Sequence, residues 1–347
     1  MCELRYVGVF LSLSAVVGLT ACGGGGGSSG PAPPNPLYVN ASSGRDTNVG
    51  DKSNPLASVV RAAQLALDDY KIVVAPGTYQ GDITTNRRGK EPQRLQFVAD
   101  VSGAQTGTAA GPVTIEGGST AGFDLTQSSG AMIDGFAVIG SKNVGILIRN
   151  GSGGVIMQNC VVHDNEDDGV HVQDSDDVLI FNNLIYNNSG HGVALVGSVS
   201  GSPNGQVISN TIYNNAGHGI QFGSSTGTSP GGFVRNNIVQ NNANDKAENI
   251  KVFTSPRSDL NHSEDFDLVF PPTYFPTNPP LPHPNDINVD ARFVSTSRDD
   301  FHLKTGSPAI NAGDKLDSSL TDMLKARTTT GQGLDDGSLD LGYHYPP

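Results

Sequence analysis

Short strands with alternating apolar and polar positions recur through the middle of this chain. Each repeat carries a Gly or Asn anchor followed by a triplet whose first and third residues are apolar. Five anchors, spaced 23 to 30 residues apart, are Gly145, Gly169, Gly192, Gly219 and Asn249. A near-constant period of this length, with short strands and no helical pattern between them, is typical of a stacked solenoid. The pattern therefore predicts an all-β parallel β-helix.

Asn-containing turns precede the last four anchors and align in columns. Coils of a β-helix stack about 4.8 Å apart, so equivalent side chains meet from coil to coil. Inward Asn amides at such positions are predicted to bond along the column and to satisfy the backbone of the turns. We interpret both columns as structural. They are Cys160, Asn183, Asn210 and Asn237, and Asn165, Asn188, Asn215 and Asn242.

One helix is predicted before the coils. Apolar residues recur at helical spacing between Leu56 and Leu67, which predicts a helix over roughly Pro55 to Asp69. A solenoid exposes its core at each end, so we expect this helix to be an N-terminal cap. The folded domain is predicted to span residues 37–347, with regular coils over about 72–256 and a C-terminal excursion and closing strands over 257–347.

The first residues are predicted to be a targeting segment. Residues 1–21 have the apolar stretch of a signal peptide, and Leu19-Thr20-Ala21-Cys22 resembles a bacterial lipobox. The resemblance implies cleavage before Cys22 and acylation of its thiol, with a Gly/Pro-rich tether over residues 22–36. We therefore expect a cell-envelope lipoprotein of the outer membrane, anchored to the membrane by lipid and facing the periplasm or the surface.

The net charge limits the possible binding partners, and the cysteine content limits the possible disulfides. The formal net charge is −13, which argues against nucleic acid as a partner. It also implies electrostatic repulsion of an acidic polymer, unless a bound cation or a local basic patch offsets that repulsion. After loss of the signal and acylation of Cys22, only Cys160 remains, so no internal disulfide can form. We expect a monomer held together by its stacked core.

Both ends of the predicted domain resemble a known group of β-helix proteins. At the start the resemblance is carried by Tyr38-Val39-Asn40 and by the run from Ile72 to Tyr79, and at the end by the segments 289–294, 300–303 and 307–313. These segments resemble right-handed parallel β-helix proteins of the pectate-lyase-like superfamily, with a distant likeness to family-nine polysaccharide lyases. The resemblance implies a right-handed coil and a polysaccharide, acidic in character, as partner. It does not specify the chemistry, because this fold carries many functions.

The candidate chemistry lies beside the second anchor. Clustered carboxylates offer hard oxygen ligands for Ca²⁺, and calcium is the cofactor that the resemblance to lyases implies. The candidate metal ligands are Asp164, Asp167 and Asp168. The candidate catalytic residues are His171, His191 and Arg149, with either histidine as general base and the arginine as partner of a substrate carboxylate.

Three functions stay open on these residues. The first is a lyase that cleaves uronate-containing polymers by β-elimination. The second is a non-catalytic module that binds glycan or mediates adhesion, and the third is a structural spacer. Two observations weigh against the lyase: no Lys or Arg occurs between Asn150 and Val234, and acidic turns are common without any function. An outward column of His163, Tyr186 and Tyr213 fits either a sugar-contact strip or ordinary packing between strands.

Overall fold

The computed structural model describes residues 35–87, 94–197, 205–223, 232–242, 248–252, 262–275, 283–331, 333–335 and 337–346. The predicted signal segment, Cys22 and nearly all of the tether lie outside these ranges. Twenty-seven strands occur in them. The first nine are β1 (Leu37–Val39), β2 (Lys71–Val74), β3 (Gly77–Gln80), β4 (Ile83–Thr85), β5 (Gln96–Ala99), β6 (Val113–Glu116), β7 (Ala121–Thr126), β8 (Met132–Asp134) and β9 (Ala137–Ile139). The next nine are β10 (Val144–Arg149), β11 (Ile156–Gln158), β12 (Val161–His163), β13 (Val170–Gln173), β14 (Leu179–Phe181), β15 (Leu184–Tyr186), β16 (Val193–Val196), β17 (Gly205–Ile208) and β18 (Thr211–Tyr213). The last nine are β19 (Ile220–Phe222), β20 (Gly232–Arg235), β21 (Ile238–Gln240), β22 (Ile250–Val252), β23 (His262–Asp265), β24 (Leu268–Phe270), β25 (Tyr274–Phe275), β26 (Phe293–Ser295) and β27 (Asp300–Leu303).

Three parallel sheets form the walls of the solenoid. Sheet A has the order β1-β2-β5-β8-β11-β14-β17-β20-β23, sheet B runs from β3 to β24, and sheet C runs from β4 to β25. Each strand pairs in parallel with its equivalent one coil away, as Val170 of β13 does with Ile146 of β10. The predicted parallel β-helix is confirmed, and its coils continue to Phe275, beyond the expected limit at residue 256.

The core fills the interior of the coils. Every second strand residue points inward and is buried, and the main cluster runs from Leu37 to Val269. Phe123 lies between Phe97 and Phe136 in edge-to-face contacts, with ring centroids 5.4 and 5.3 Å apart. These aromatic contacts join two successive coils in the core, since β5 and β7 belong to one coil and Phe136 follows β8 in the next.

Both predicted Asn columns are hydrogen-bonded ladders. The Asn210 side-chain oxygen accepts from the Asn183 backbone N–H at 2.8 Å and from the Asn183 amide at 3.0 Å. The second column repeats this arrangement from Asn165 through Asn242 and ends on Asn249. The residue before each ladder position has a positive φ, which explains the Asn-Asn pairs, because Asn tolerates the left-handed conformation.

The first helix, α1 (Val59–Leu65), is shorter than predicted. The Ser58 hydroxyl caps it by accepting from the Arg61 N–H at 3.1 Å. Val59, Ala62 and Ala63 are buried in the main core, and the helix packs against β4, the end strand of sheet C. Its role as a cap stays a prediction.

The C-terminal segment differs from the expected closing strands. β26 and β27 pair with each other in antiparallel fashion, and the segment packs along the outside of the solenoid. Its residues Phe293 and Phe301 cover the outer face of sheet B, while α2 (Ser318–Lys325) helps to cover the outer face of sheet A through Leu324. Within the described ranges, no helix is long and apolar enough to cross a membrane.

Candidate functional site

The outer face of sheet C differs from the other two walls. Apolar clusters that include the C-terminal segment cover the outer faces of sheets A and B. The proposed sugar strip is part of that covered surface, since Tyr186 and Tyr213 pack on Phe301 with centroids 4.8 and 5.3 Å apart. Ordinary packing therefore explains the aromatic column. The outer face of sheet C carries polar side chains instead, among them Asp124, Arg149, His171, Gln173, Gln221 and Lys251.

Asp168 and His171 form a hydrogen-bonded pair on this face. His171 Nδ1 lies 2.7 Å from Asp168 Oδ2. Strand β13 places His171 between Leu147 and Ala194 of the adjacent strands. The Asp168 side chain is only 7% exposed, whereas His171 is 26% exposed. The carboxylate thus holds one ring nitrogen, and part of the His171 side chain is accessible from the outside.

Three other Asp–His pairs in the described chain lack this combination. The Asp164 and Asp300 carboxylates beside His163 and His302 are 61% and 39% exposed. The Asp335–His344 pair is buried on both sides, within the C-terminal segment. A buried carboxylate beneath an accessible imidazole is the arrangement of a positioned general base, and among these four pairs only Asp168–His171 has it.

A third ladder runs beside this pair. Asp168 Oδ1 accepts from the His191 backbone N–H at 2.6 Å, and His191 Nδ1 accepts from the His218 backbone N–H at 2.8 Å. His218 Nδ1 in turn lies 3.1 Å from the Glu248 backbone nitrogen and 3.0 Å from the Glu248 carbonyl oxygen. The His191 and His218 rings stack with centroids 4.9 Å apart. The sequence placed these residues in one column, but the bonds to the backbone could not be predicted from it.

Burial affects the titration of both ladder histidines. It lowers the pKa of His191, although Asp168 and Asp167 oppose the effect. It lowers the pKa of His218 to about 4. Both imidazoles are therefore neutral at neutral pH, in keeping with the use of His191 Nδ1 as the acceptor of a backbone hydrogen bond.

Arg149 is held by side chains of strand β7. Its Nη2 donates to Asp124 Oδ2 at 2.7 Å and its Nε to Thr126 Oγ1 at 3.0 Å. The Thr126 hydroxyl also donates to Asp124 Oδ1 at 2.6 Å, which closes the network. His171 lies on β13, on the opposite side of β10 from β7. The guanidinium is therefore drawn away from His171, by about 10 Å at two strand spacings.

The three predicted calcium ligands do not form one set. Asp164 is a left-handed turn residue, equivalent to Asn187 in the next coil, and its carboxylate bonds His163 at 2.7 Å. Both oxygens of Asp168 are already bonded, to His171 and to the His191 backbone. Within the described ranges, no three His, Cys, Asp or Glu side chains are grouped to hold a metal ion. Since Ca²⁺ takes six to eight oxygen ligands, Asp164, Asp167 and Asp168 do not by themselves make up a calcium site.

Asp167 remains beside the Asp168–His171 pair. Gly190 of the next coil leaves room for it, since a Cβ there would lie 2.6 Å from Asp167 Oδ1 and 2.5 Å from Asp168 Oδ1. Both carboxylates thus converge over this glycine. Partial burial and the neighbouring Asp168 raise the pKa of Asp167.

Comparison with known proteins supports the fold. Residues 102–255 match the family described as "Right handed beta helix region", which agrees with the predicted hand of the coil. No curated protein matches the chain. Among solved structures, pectate lyase Pel9A is 18% identical, with 92% of this chain and 98% of that chain covered and a TM-score of 0.40. The pectin methylesterase from Aspergillus niger is 14% identical (85% and 97% covered, TM-score 0.39), and the periplasmic alginate epimerase AlgG is 18% identical (58% and 47% covered, TM-score 0.32). At these values no activity follows from any of them.

Proposed function

We propose that this protein binds an acidic polysaccharide along the outer face of sheet C and cleaves it by β-elimination, with His171 as general base. The observation that carries the proposal is the 2.7 Å hydrogen bond between the buried Asp168 carboxylate and the accessible His171 ring. An extended polymer that lies along the stacking direction meets a new coil about every 4.8 Å. Successive sugars would therefore contact equivalent side chains.

Asp168 sets the tautomer of His171. A carboxylate accepts, so the Nδ1 atom of His171 carries the ring proton and Nε2 has a free lone pair. In the proposed reaction Nε2 takes the proton from the carbon next to the uronate carboxylate. The electron pair forms the new carbon–carbon double bond, and the glycosidic oxygen leaves with a proton from Asp167 or water.

Arg149 keeps its proposed role as partner of a substrate carboxylate, but at a different sugar. Because Asp124 and Thr126 hold it toward β7, its guanidinium lies too far from His171 to contact the sugar that loses the proton. We propose that it binds the carboxylate of a neighbouring sugar, through its outward edge. Arg is well suited to this, since its fixed fork of donors can bond two carboxylates at once.

The test is a product assay with matched variants. The protein is incubated with polygalacturonate, alginate and other uronate polymers, and unsaturated products are followed by ultraviolet absorbance. His171→Ala and Asp168→Asn should lower the rate by about 100-fold or more, whereas His163→Ala, which removes the exposed pair on sheet B, should keep it. No products from any polymer would refute the catalytic proposal, as would full activity of His171→Ala.

A glycan-binding module is the second candidate. It is favoured by the ladder, which uses Asp168 and His191 to hold backbone groups, and by the pairing of Arg149 with Asp124. Such a face can bind sugar without chemistry. Retention of glycans on an array, together with no unsaturated products, would decide for this alternative.

We also propose that Cys22 is acylated and anchors the protein in the outer membrane as a monomer. The proposal rests on the lipobox-like Leu19-Thr20-Ala21-Cys22 and the tether that follows it. Cys22→Ala should move the protein from the membrane fraction to the soluble fraction without changing its melting temperature. A variant that stays with membranes after carbonate washing would refute the anchor.

A further inference from the structure

The two histidines that contact Asp168 use their ring nitrogens in opposite ways. His171 donates from Nδ1 to the carboxylate, at 2.7 Å. His191 accepts at Nδ1 from the backbone N–H of His218, at 2.8 Å. A backbone N–H can only donate, and a neutral imidazole carries one proton, so His191 holds its proton on Nε2. His171 and His191 are therefore opposite tautomers, and His191 cannot be the base at Nε2.

We propose that His191 is a fixed hydrogen-bond donor, and that its Nε2–H binds the carboxylate of the sugar whose proton His171 removes. The inference rests on the proposed function and assigns a second substrate-binding residue to that site. In this proposal, His171 and His191 act on the same acidic sugar.

The His191 ring is held in place before any ligand arrives. Its Nδ1 bond to the next coil fixes one edge, and the stacked His218 ring, inclined by only 9°, fixes one face. Among the residues that the structure describes, Nε2 has no hydrogen-bond partner, and the side chain is half-buried. Because little freedom is lost on binding, such a donor is well preorganised for a carboxylate.

The position of the donor matches the needs of the reaction. Asp168 bonds the ring of His171 with one oxygen and the backbone of His191 with the other. The base and the donor therefore lie one coil apart around one carboxylate. In a uronate, the carbon that loses the proton is bonded directly to the carboxylate, so both groups must lie close together. Arg149, which Asp124 holds on the far side of β10, does not meet this condition.

Nitrogen-15 NMR of the imidazoles tests the tautomers and the contact in one experiment. The wild-type protein should show the Nδ1–H form for His171 and the Nε2–H form for His191. Addition of trigalacturonate should shift the Nε2–H resonance of His191, and galactotriose, which lacks carboxylates, should not. An Nδ1–H tautomer for His191, or bound trigalacturonate without a shift at Nε2, would overturn the proposal.

His191→Asn separates the donor from the ladder. Its Oδ1 takes the place of Nδ1 and can accept from His218, as Asn oxygens do in the two Asn ladders, but it has nothing at the position of Nε2. We expect about tenfold weaker binding of trigalacturonate or more, a raised KM, and an unchanged acid limb of the pH–rate profile, because the base His171 is intact. The control His163→Asn should bind as wild type does. If the wild type cleaves uronate polymers and His191→Asn has unchanged affinity, this inference fails and the proposed function stands. If the wild type neither binds nor cleaves them, the proposed function fails, and the inference fails with it.

Discussion

The backbone N–H of His218 donates to the imidazole Nδ1 of His191 across 2.8 Å, so a ring in one coil holds the backbone of the next. Asn side chains have this role in the two neighbouring columns. A histidine differs from an asparagine in that it titrates. The ladder on this side of the solenoid therefore depends on pH, whereas the two Asn ladders do not.

The first prediction concerns stability in acid. Burial lowers the pKa of His218 from 6.5 to about 4, so between these values the unfolded chain binds a proton that the folded chain does not. The free energy of unfolding is therefore highest above about pH 6.5. It decreases as the pH falls toward 4, by at most about 3 kcal/mol from His218. His218→Asn, which keeps an acceptor, should flatten the pH dependence of urea unfolding between pH 4.5 and 7. An equal slope in wild type and variant would contradict the ladder role.

The second prediction concerns the Asn ladders. Asn210→Ala leaves the buried backbone N–H and side-chain amide of Asn183 without their acceptor. The expected loss is about 1–3 kcal/mol for each donor. Asn143→Ala, on the exposed surface, should lose less than about 0.5 kcal/mol. Chemical unfolding of the two variants measures the difference, and similar midpoints would remove the case for ladder stabilisation.

The third prediction concerns the attachment of the C-terminal segment. The Asn182 amide accepts from the His344 backbone N–H at 2.6 Å and donates to its carbonyl at 3.0 Å. Asn182→Gly keeps the left-handed turn but removes both bonds, and with them the bond that the Asn182 amide donates to Asn159, so amide exchange near His344 should become faster. Asn187→Gly is the control, since that left-handed Asn is exposed and its side chain bonds only Asn214 among the described residues. Equal exchange rates in both variants would show that the two hydrogen bonds between Asn182 and His344 do not hold the C-terminal segment.

The fourth prediction separates binding from chemistry. Arg149→Lys keeps a positive charge beside Asp124 but loses the fork of donors, so KM for a uronate polymer should rise about tenfold while kcat stays within about threefold. Steady-state kinetics on the best polymer of the panel provides the measurement. A fall in kcat at constant KM would place Arg149 at the reacting sugar instead.

The fifth prediction concerns calcium. Because Asp164 bonds His163 and both Asp168 oxygens are occupied, millimolar Ca²⁺ should leave the melting temperature unchanged. A ligand that binds only the folded state would raise it. A rise that Asp167→Ala abolishes would restore the calcium site expected from the sequence.

The sequence by itself determined the solenoid. Its repeat length, its alternating strands and its Asn pairs act locally or between adjacent coils, so they can be recognised without coordinates. The column that holds Asp168 and His191 was also visible, because equivalent positions in a repeat must stack. The stacking of equivalent positions does not predict the direction in which a side chain points or the residue to which it bonds.

The folded chain shows which partners the candidate side chains have. Asp164 is a turn residue bonded to His163, and Arg149 turns toward Asp124, a residue that no spacing rule connected to it. The segment after Phe275 covers the outer faces of sheets A and B, since its apolar residues meet apolar columns far away in sequence. The contacts of the C-terminal segment depend on packing between parts of the chain that are not adjacent in the repeat, and the pairs of Asp164 and Arg149 depend on side-chain direction, which spacing does not specify. For that physical reason they could be found only in the folded chain.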